Sequence, residues 1–267
     1  MWRAVGHVAP VIAVDAGNIR YFVSTSDAEI ARKIFVYGTF ERDVLERAES
    51  VLGRFGGRYG IPGNTFVDIG ANIGSATLLA TVSLGARAAI AFEPEPSNFR
   101  LLRLNVLANG LEDRVRTVNC ALSDRRGDAW LELSGRNSGN HYLRAEQPAT
   151  PAVMVRTRSF DDFVLDGTVV LDQVGLVWMD VEGAEPRVLR GARSLLTADV
   201  PLVMEYWPGA LQAAERSELL ATLCDAYTTY VDLRDPAAGP APIARLPGLH
   251  ERFGNGQILT DILLIKA

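Results

Sequence analysis

Residues 65–74 read TFVDIGANIG, and this stretch decides the fold. Its first five residues are a short, largely apolar run that indicates a buried strand. Gly70 and Gly74 allow a tight turn, and residues 75–84 continue with helical character. The stretch therefore predicts a strand, a glycine turn and a helix in immediate succession.

The rest of the chain repeats this alternation of strand and helix. Further strands are predicted at residues 88–94, 115–122, 175–183, 201–207, 227–233 and 258–267, and helices at 97–109, 185–196 and 210–224. Residues 128–159 are predicted as a hairpin or a long loop. Near-continuous apolar strands alternating with helices indicate an α/β fold with a mainly parallel sheet, covered by helices on both faces.

Two regions are predicted along the chain. Residues 1–60, with two short strands across 11–24 and helical spacing across 27–55, carry no motif and are interpreted as a small N-terminal cap. Residues 61–267 are predicted to form a Rossmann-like main domain. Ligands of such sheets bind beyond the carboxyl ends of the strands, so the residues after each strand are the candidates for a site.

The glycine turn carries chemistry of its own. Its glycines let the backbone approach a ligand, and the N–H groups at the start of the following helix favour an anion such as a carboxylate. Asp68, near the end of the strand, attracts a cation. A site with these two ends suits the amino-acid part of S-adenosylmethionine. The predicted cofactor residues of the turn are Asp68, Gly70, Asn72 and Gly74.

Two alternatives for the turn remain open at the level of sequence. A dinucleotide site would need the spacing G-x-G-x-x-G, but Asn72 and Ser75 stand at its second and third glycine positions. Asp68 would also repel a diphosphate. The other alternative is a tight strand–helix turn that binds nothing.

Two later strand ends add candidates for cofactor binding. Glu93 follows the second strand about 20 residues past the turn, where a carboxylate can accept both hydroxyls of a ribose. Such a carboxylate serves NAD and S-adenosylmethionine alike. Ser123 and Asp124 follow the third strand, where the adenine is expected, and either could accept its amino group. An ordinary Ser-Asp turn is the alternative reading of these two residues.

Composition limits the partners. The net charge is −5, and no run of Lys or Arg is long enough to follow a phosphate backbone, so nucleic acid is not expected as a partner. No apolar stretch approaches the about 20 residues that a membrane span needs. The N-terminus lacks the apolar region of a signal peptide, and Cys120 and Cys224 lack metal-ligand spacing. A cytoplasmic location with two free thiols is therefore expected.

Four segments carry a family resemblance. They read FVDIGANIG (66–74), AFEPEPSNFRLLRLNVLAN (91–109), NCALSD (119–124) and MDVEGAEPRVLRGA (179–192). In this order and spacing they resemble the FkbM-type methyltransferase family. The resemblance implies a seven-stranded sheet with its last strand antiparallel, and methylation of a hydroxyl on a sugar, a polyketide or a similar natural product. It also implies that Tyr37 and Gly38 close over the cofactor and that Asn98 belongs to the site.

Three acids near the fourth and fifth strands are the candidates for catalysis. They are Asp180, Glu182 and Glu205. A hydroxyl is a weak nucleophile, so a carboxylate or a His can assist by removing its proton. Alternatively, carboxylates can hold Mg²⁺ or Mn²⁺, which lowers the pKa of a bound hydroxyl. His141, in the loop 135–147, is a candidate base or metal ligand.

The sequence therefore predicts an S-adenosylmethionine-dependent methyltransferase of natural product biosynthesis. The leading hypothesis is O-methylation of a sugar or secondary-metabolite acceptor. N-methylation of an amino sugar or amine is the alternative within the class, since acids would also bind an ammonium. A non-catalytic cofactor-binding protein on the same fold is the alternative of another class. The loop 135–147 and both ends of the chain are expected to choose the acceptor.

Overall fold

The computed structural model describes residues 2–56, 59–134, 139, 141–254 and 259–266. The described strands are β1 (Val11–Ala16), β2 (Ile19–Ser24), β3 (Thr65–Ile69), β4 (Ala88–Phe92), β5 (Val115–Val118), β6 (Ala121–Leu122), β7 (Gly127–Glu132), β8 (Tyr142–Arg144), β9 (Ala152–Arg158), β10 (Val174–Met179), β11 (Leu202–Tyr206), β12 (Thr229–Asp232), β13 (Ala241–Pro242) and β14 (Thr260–Ile265). The described α-helices are α1 (Trp2–Val5), α2 (Ile30–Tyr37), α3 (Arg42–Leu52), α4 (Ser75–Leu78), α5 (Pro96–Ala108), α6 (Phe160–Leu165), α7 (Glu185–Arg190), α8 (Arg193–Thr197), α9 (Ala213–Ala226) and α10 (Leu246–Gly254).

The main sheet has the strand order β13-β12-β14-β11-β10-β3-β4-β5. Its central pairings, from β11 through β10, β3 and β4 to β5, are parallel, and β14 runs antiparallel to both of its neighbours. The described sheet therefore has eight strands, so the predicted count of seven is wrong. The extra strand is β13, a two-residue edge strand whose Pro242 has no N–H to extend the ladder.

A second sheet of four strands, in the order β6-β9-β7-β8, accounts for much of the region predicted as a hairpin or loop. It also takes the end of the predicted third strand, which divides into β5 and β6. The division falls at Asn119, whose amide donates to the carbonyls of Glu93 and Pro94 at 2.8 and 3.0 Å. The chain then leaves the main sheet, and β6 pairs with β9 instead.

Two predicted helices differ in detail. The helix expected to begin at Ser97 begins at Pro96, and its N-cap is Glu95, whose Oε2 accepts the N–H of Asn98 at 2.6 Å. The helix expected over 185–196 is divided into α7 and α8 around Gly191. A Cβ on Gly191 would lie 2.1 Å from the carbonyl oxygen of Ser123, so the division lets the chain pass close to the end of β6.

The β1–β2 hairpin is attached to α5 by two asparagine side chains. Asn105, fully buried, accepts the N–H of Phe22 at 2.5 Å and donates to the carbonyls of Phe22 and Ile73 at 3.2 and 2.8 Å. Asn109 binds the N–H and carbonyl of Arg20 at 2.9 and 2.7 Å. The hairpin, α2 and α3 share one apolar core with the main sheet. These three elements therefore pack directly on the main sheet.

Two composition-based expectations concern cysteine and the membrane. Cys120 and Cys224 are free thiols, the first buried and the second half-buried, and burial raises the pKa of Cys120 to about 11. Within the described ranges, no helix combines the length and the apolar character that crossing a bilayer requires.

Candidate active site

A cleft with about 850 Å³ of empty space lies at the carboxyl ends of β3, β4 and β10. We call it the first cleft. Eight of the residues proposed from sequence line it: Asp68, Gly70, Asn72, Glu93, Asn98, His141, Asp180 and Glu182. Parallel strands place their carboxyl ends together, which is why residues from separate motifs meet here.

The glycine turn is held tightly against the end of β10. Gly70 has a φ of +90°, and a Cβ at this position would lie 1.8 Å from the carbonyl oxygen of Asp180. Only glycine fits this close approach. Asp68 is 1% exposed and accepts a hydrogen bond from Oγ1 of Thr77 at 2.5 Å, while its burial raises its pKa to about 6. The turn forms a cradle with a buried carboxyl at its base.

Glu93 is fixed by backbone groups. Its Oε2 accepts the N–H of Asn72 at 2.8 Å and its Oε1 accepts the N–H of Glu95 at 2.7 Å. Burial raises its pKa to about 8, and these two N–H donors oppose the rise. The side chain is only 5% exposed, although an acid that follows a strand is ordinarily exposed. A carboxylate has about four lone-pair sites, so two remain for a ligand.

Other proposed cofactor residues lie apart from the first cleft. Ser123 and Asp124 hydrogen-bond to each other at 3.2 Å, and neither lines the cleft. Gly74 and Gly38 are left-handed residues at helix ends: Gly74 is the N-cap of α4 and Gly38 the C-cap of α2. Tyr37 is 69% exposed and lines a different cleft, described below.

The three acids proposed for catalysis come together. Carboxylate oxygens of Asp180, Glu182 and Glu205 all lie within 4.8 Å of one another. Asp180 follows β10, whereas Glu205 lies inside β11, one residue before its end. Among the described residues, Oδ1 of Asp180 is buried without a hydrogen-bond partner.

Burial and mutual repulsion raise the pKa values of these acids. The pKa of Glu205 rises to about 9, first because of burial and then because of Glu182. The pKa of Asp180 also rises well above its usual range, because of burial and then Glu205. Burial raises the pKa of Glu182 to about 7. Crowded carboxyls of this kind share a proton or a cation.

A second cleft, with about 1,430 Å³ of empty space, is also lined by these three acids. Six residues line both clefts, and they are Ile30, Phe40, Glu41, Gly139, Asp180 and Glu182. Glu205 lines only the second. The residues that line the second cleft alone include Lys33, Tyr37, Thr39, Trp207 and Arg234. The acid cluster therefore lies where the two clefts meet.

Sequence reasoning missed three charged residues here. Nε of Arg234 lies 2.5 Å from Oδ2 of Asp261, and its Nη2 donates to Oε1 of Glu41 at 3.4 Å. Glu41 stands at the start of a helix, where an acid is ordinary, so it gave no signal. Asp261 could have been noticed in the sequence, because it is a single acid inside an apolar strand.

His141 lines the first cleft, and its ring already accepts a hydrogen bond from the backbone. Its Nδ1 accepts the N–H of Ser134 at 3.0 Å, so a neutral ring carries its proton on Nε2. Burial lowers its pKa. In this arrangement His141 offers the cleft a donor rather than a base. Residues 135–138 and 140 of its loop lie outside the described residues.

Comparison with known proteins identifies the family. The model of the methyltransferase FkbM domain matches residues 68–225. The chain is 33% identical over 166 residues to the 2-O-methyltransferase NoeI of Sinorhizobium fredii, covering 54% of this chain and 64% of that protein. It is 29% identical over 159 residues to methyltransferase sdnD of Sordaria araneosa, covering 49% of this chain and 61% of that protein. Both matches span less than two thirds of the relatives' length.

Solved structures include one with the same family name. The crystal structure of methyltransferase FkbM from Methylobacillus flagellatus KT superposes with a TM-score of 0.42 at 14% identity, over 76% of this chain and 43% of that one. A putative transferase from Pyrococcus horikoshii gives a TM-score of 0.49 at 12% identity, over 97% and 73% of the two chains.

Proposed function

The chain belongs to the FkbM methyltransferase family, and we propose that it methylates a hydroxyl of a sugar or secondary-metabolite acceptor with S-adenosylmethionine. One observation carries the proposal: three carboxylates meet where two clefts join. The first cleft is assigned to the cofactor and the second to the acceptor. The 2-O-methyltransferase named among the relatives supports transfer to oxygen.

The cofactor assignment follows from the fit of the first cleft. S-adenosylmethionine, when bound, supplies a methyl group already activated on its sulfonium. The glycine cradle at Gly70 admits a ligand beside the backbone, and Asp68 can pair with the ammonium group. Glu93, held rigidly by two backbone N–H groups, is placed to accept the ribose hydroxyls. The apolar wall of Cys120 and Leu122 suits the adenine, with Ser123 and Asp124 just beyond it.

The acceptor's proton is assigned to the acid cluster. A base works best when its pKa is close to the operating pH, and burial raises the pKa of Asp180 above its usual acidic range. As the acceptor oxygen forms its bond to the methyl carbon, the carbon–sulfur bond breaks and S-adenosylhomocysteine is left, while the hydroxyl proton passes to a carboxylate oxygen. We assign this role to Asp180, because its buried Oδ1 has no partner among the described residues and the residue lines both clefts. Glu205 and Glu182 keep its pKa raised.

A divalent metal is the second candidate for activating the hydroxyl. Asp180, Glu182 and Glu205 offer three carboxylate oxygens, the donor type that suits Mg²⁺ or Mn²⁺. These residues would hold the ion, which when bound lowers the pKa of the hydroxyl. The same acids would also suit an amine acceptor, which is the observation that favours N-methylation as an alternative.

The test uses radiolabelled S-adenosylmethionine and a panel of acceptors. The panel holds neutral methyl glycosides, amino sugars and the matching N-acetylated amino sugars. We expect label on neutral or N-acetylated sugars. Label confined to free amines would replace O-methylation by N-methylation. Binding of S-adenosylhomocysteine with no label on any acceptor would contradict the proposal.

A chelation experiment distinguishes a carboxylate base from a bound metal ion as the group that activates the hydroxyl. Turnover is measured after EDTA treatment, with and without added Mg²⁺ or Mn²⁺. Turnover that survives chelation supports Asp180 as the base. Turnover that is lost and then restored by Mn²⁺ makes the three acids ligands.

A further inference from the structure

Arg234 joins three distant parts of the chain at the rim of the second cleft. It follows β12, its Nε lies 2.5 Å from Asp261 in β14, and its Nη2 donates to Glu41 in the cap at 3.4 Å. The Asp261 and Glu41 side chains are 4% and 13% exposed, whereas Arg234 is 41% exposed. The guanidinium thus reaches two largely buried carboxyls from the solvent side.

Both carboxyls adjoin the residues assigned to catalysis. Asp261 stands directly opposite Glu205 in the antiparallel pairing of β14 and β11. Glu41 lines both clefts together with Asp180. Its backbone is left-handed, with a φ of +59°, which a residue with a side chain keeps only when its surroundings fix it. The ion pair with Arg234 is one such restraint.

A second contact ties the cap to the same segment. Arg47 of α3 donates to the carbonyls of Leu233 and Ala238 at 3.2 and 2.7 Å. The helix that follows Glu41 is therefore hydrogen-bonded to residues that lie before and after Arg234 in the chain. The other cation of the second cleft, Lys33, lies 3.7 Å from Glu29 and over the ring of Phe40. Of these two cations, Arg234 is the one within ion-pair distance of Glu41.

We propose that Arg234 is a positioning residue for acceptor binding: its bridge from Asp261 to Glu41 holds the cap segment 38–41 as a wall of the second cleft beside Asp180. The inference rests on the proposed function, since it takes the second cleft as the acceptor site. Arginine suits this bridge because its planar fork can bind two carboxylates at once, which a lysine does less well.

The test compares Arg234→Met, Arg234→Lys and the double variant R234M/D261N, which leaves no buried Asp261 charge unpaired. Arg190→Met is the matched control, because Arg190 forms a 2.6 Å ion pair with Glu218 between two helices at a similar exposure of 38%. Hydrogen exchange of the amides in residues 37–45 is measured by mass spectrometry without any acceptor. The KM and kcat of an acceptor from the panel are then measured for each variant.

We expect the exchange rate of the amides in residues 37–45 to rise about tenfold in Arg234→Met and in the double variant. An effect of this size lies between those expected for the loss of a surface ion pair and of a buried ion pair. Arg234→Lys should restore part of the protection, and Arg190→Met should match the parent protein. The acceptor KM should rise about tenfold while kcat changes less.

Unchanged exchange in a folded double variant would overturn the inference, and so would an unchanged KM. The exchange measurement needs no catalysis, so it decides the role of the bridge even if no acceptor is methylated. A failure of methyl transfer would instead contradict the proposed function.

Discussion

The two clefts of this protein are built in opposite ways. In the first, the carboxyls are held by local donors: Thr77 binds Asp68, and backbone N–H groups nearby bind Glu93. In the second, Glu205 crowds against Asp180 and Glu182, which stand at the junction with the first cleft, and Oδ1 of Asp180 has no partner in the described part of the chain. The first is arranged before any ligand arrives, whereas the second is left electrostatically incomplete.

This difference between the clefts agrees with the proposal that the first binds the cofactor and the second binds the acceptor. A cofactor that is the same in every turnover suits a prearranged site, in which little is reorganised on binding. A site that removes a proton needs a group whose pKa is displaced, which crowding and burial provide.

The largest effect is expected from Asp180→Asn. The substitution keeps the shape of the side chain but removes the base, so turnover should fall by about 10²–10⁴-fold. S-adenosylhomocysteine should still bind with nearly the parent affinity by calorimetry. Asp128→Asn, an exposed change in β7, is the control and should leave turnover intact. Full turnover in the folded Asp180 variant would remove this residue from the chemistry.

Gly70→Ala tests whether the two clefts depend on one close contact. The added Cβ would meet the carbonyl of Asp180 at 1.8 Å, so the turn or the end of β10 must move. We expect a loss of stability of about 3 kcal/mol or more, together with loss of cofactor binding. Gly17→Ala is the control, since it has a positive φ with open space around it. Its melting temperature should fall much less.

Asp68→Ala should weaken S-adenosylhomocysteine binding by about 1.5–3 kcal/mol, the value of a charge-assisted hydrogen bond. Because the folded pKa of Asp68 is raised to about 6, binding of an ammonium group should also strengthen as pH rises through 6. Calorimetry across this range measures both effects. Equal affinity of parent and variant would exclude Asp68 from the cofactor site.

Glu93→Gln should weaken cofactor binding and also lower stability. An amide offers one oxygen, so its NH₂ group would face one of the two backbone N–H donors, at a cost of about 1–3 kcal/mol. The melting temperature and the affinity for S-adenosylhomocysteine are measured together. Glu146→Gln, an exposed change, should alter neither. A variant with the parent melting temperature would contradict the fixed geometry of Glu93.

The smallest effect is expected for the change in the free energy of unfolding with each unit of pH. Burial raises the folded pKa values of Asp68, Glu93, Glu41 and Glu205 to about 6, 8, 8 and 9. Between about pH 4 and pH 9 the folded protein therefore holds more protons than the unfolded chain, so the free energy of unfolding falls as pH rises. Calorimetric melting across this range should show the decline. A melting temperature that rises with pH would contradict it.

The sequence predicted the first cleft better than the second. The strand, the glycine turn and the acid after β4 are local features, so Asp68, Gly70 and Glu93 could be placed in one cleft from spacing alone. The meeting of Asp180 and Glu205 also followed, because neighbouring parallel strands end at the same edge. Glu41 and Arg234 could not be placed together, since 193 residues separate them and only the folded chain brings them into contact.

Contacts between residues distant in the chain also explain where the predicted fold differs from the observed one. The division of the predicted third strand at Asn119 depends on hydrogen bonds to residues 93 and 94, which the segment itself does not reveal. The burial of Glu93 depends likewise on the backbone of the glycine turn. Local propensity predicts which element forms, while contacts distant in the chain decide where it ends.

The asparagines that attach the β1–β2 hairpin to α5 have a consequence for self-association. The outer edge of β2 would otherwise present free N–H and carbonyl groups to any passing strand, which is how sheets aggregate edge to edge. Asn105 and Asn109 occupy those groups at Phe22 and Arg20 as a neighbouring strand would. A helix thus closes an edge of a sheet with two amide side chains, and the hairpin is protected from pairing with a second molecule at these positions.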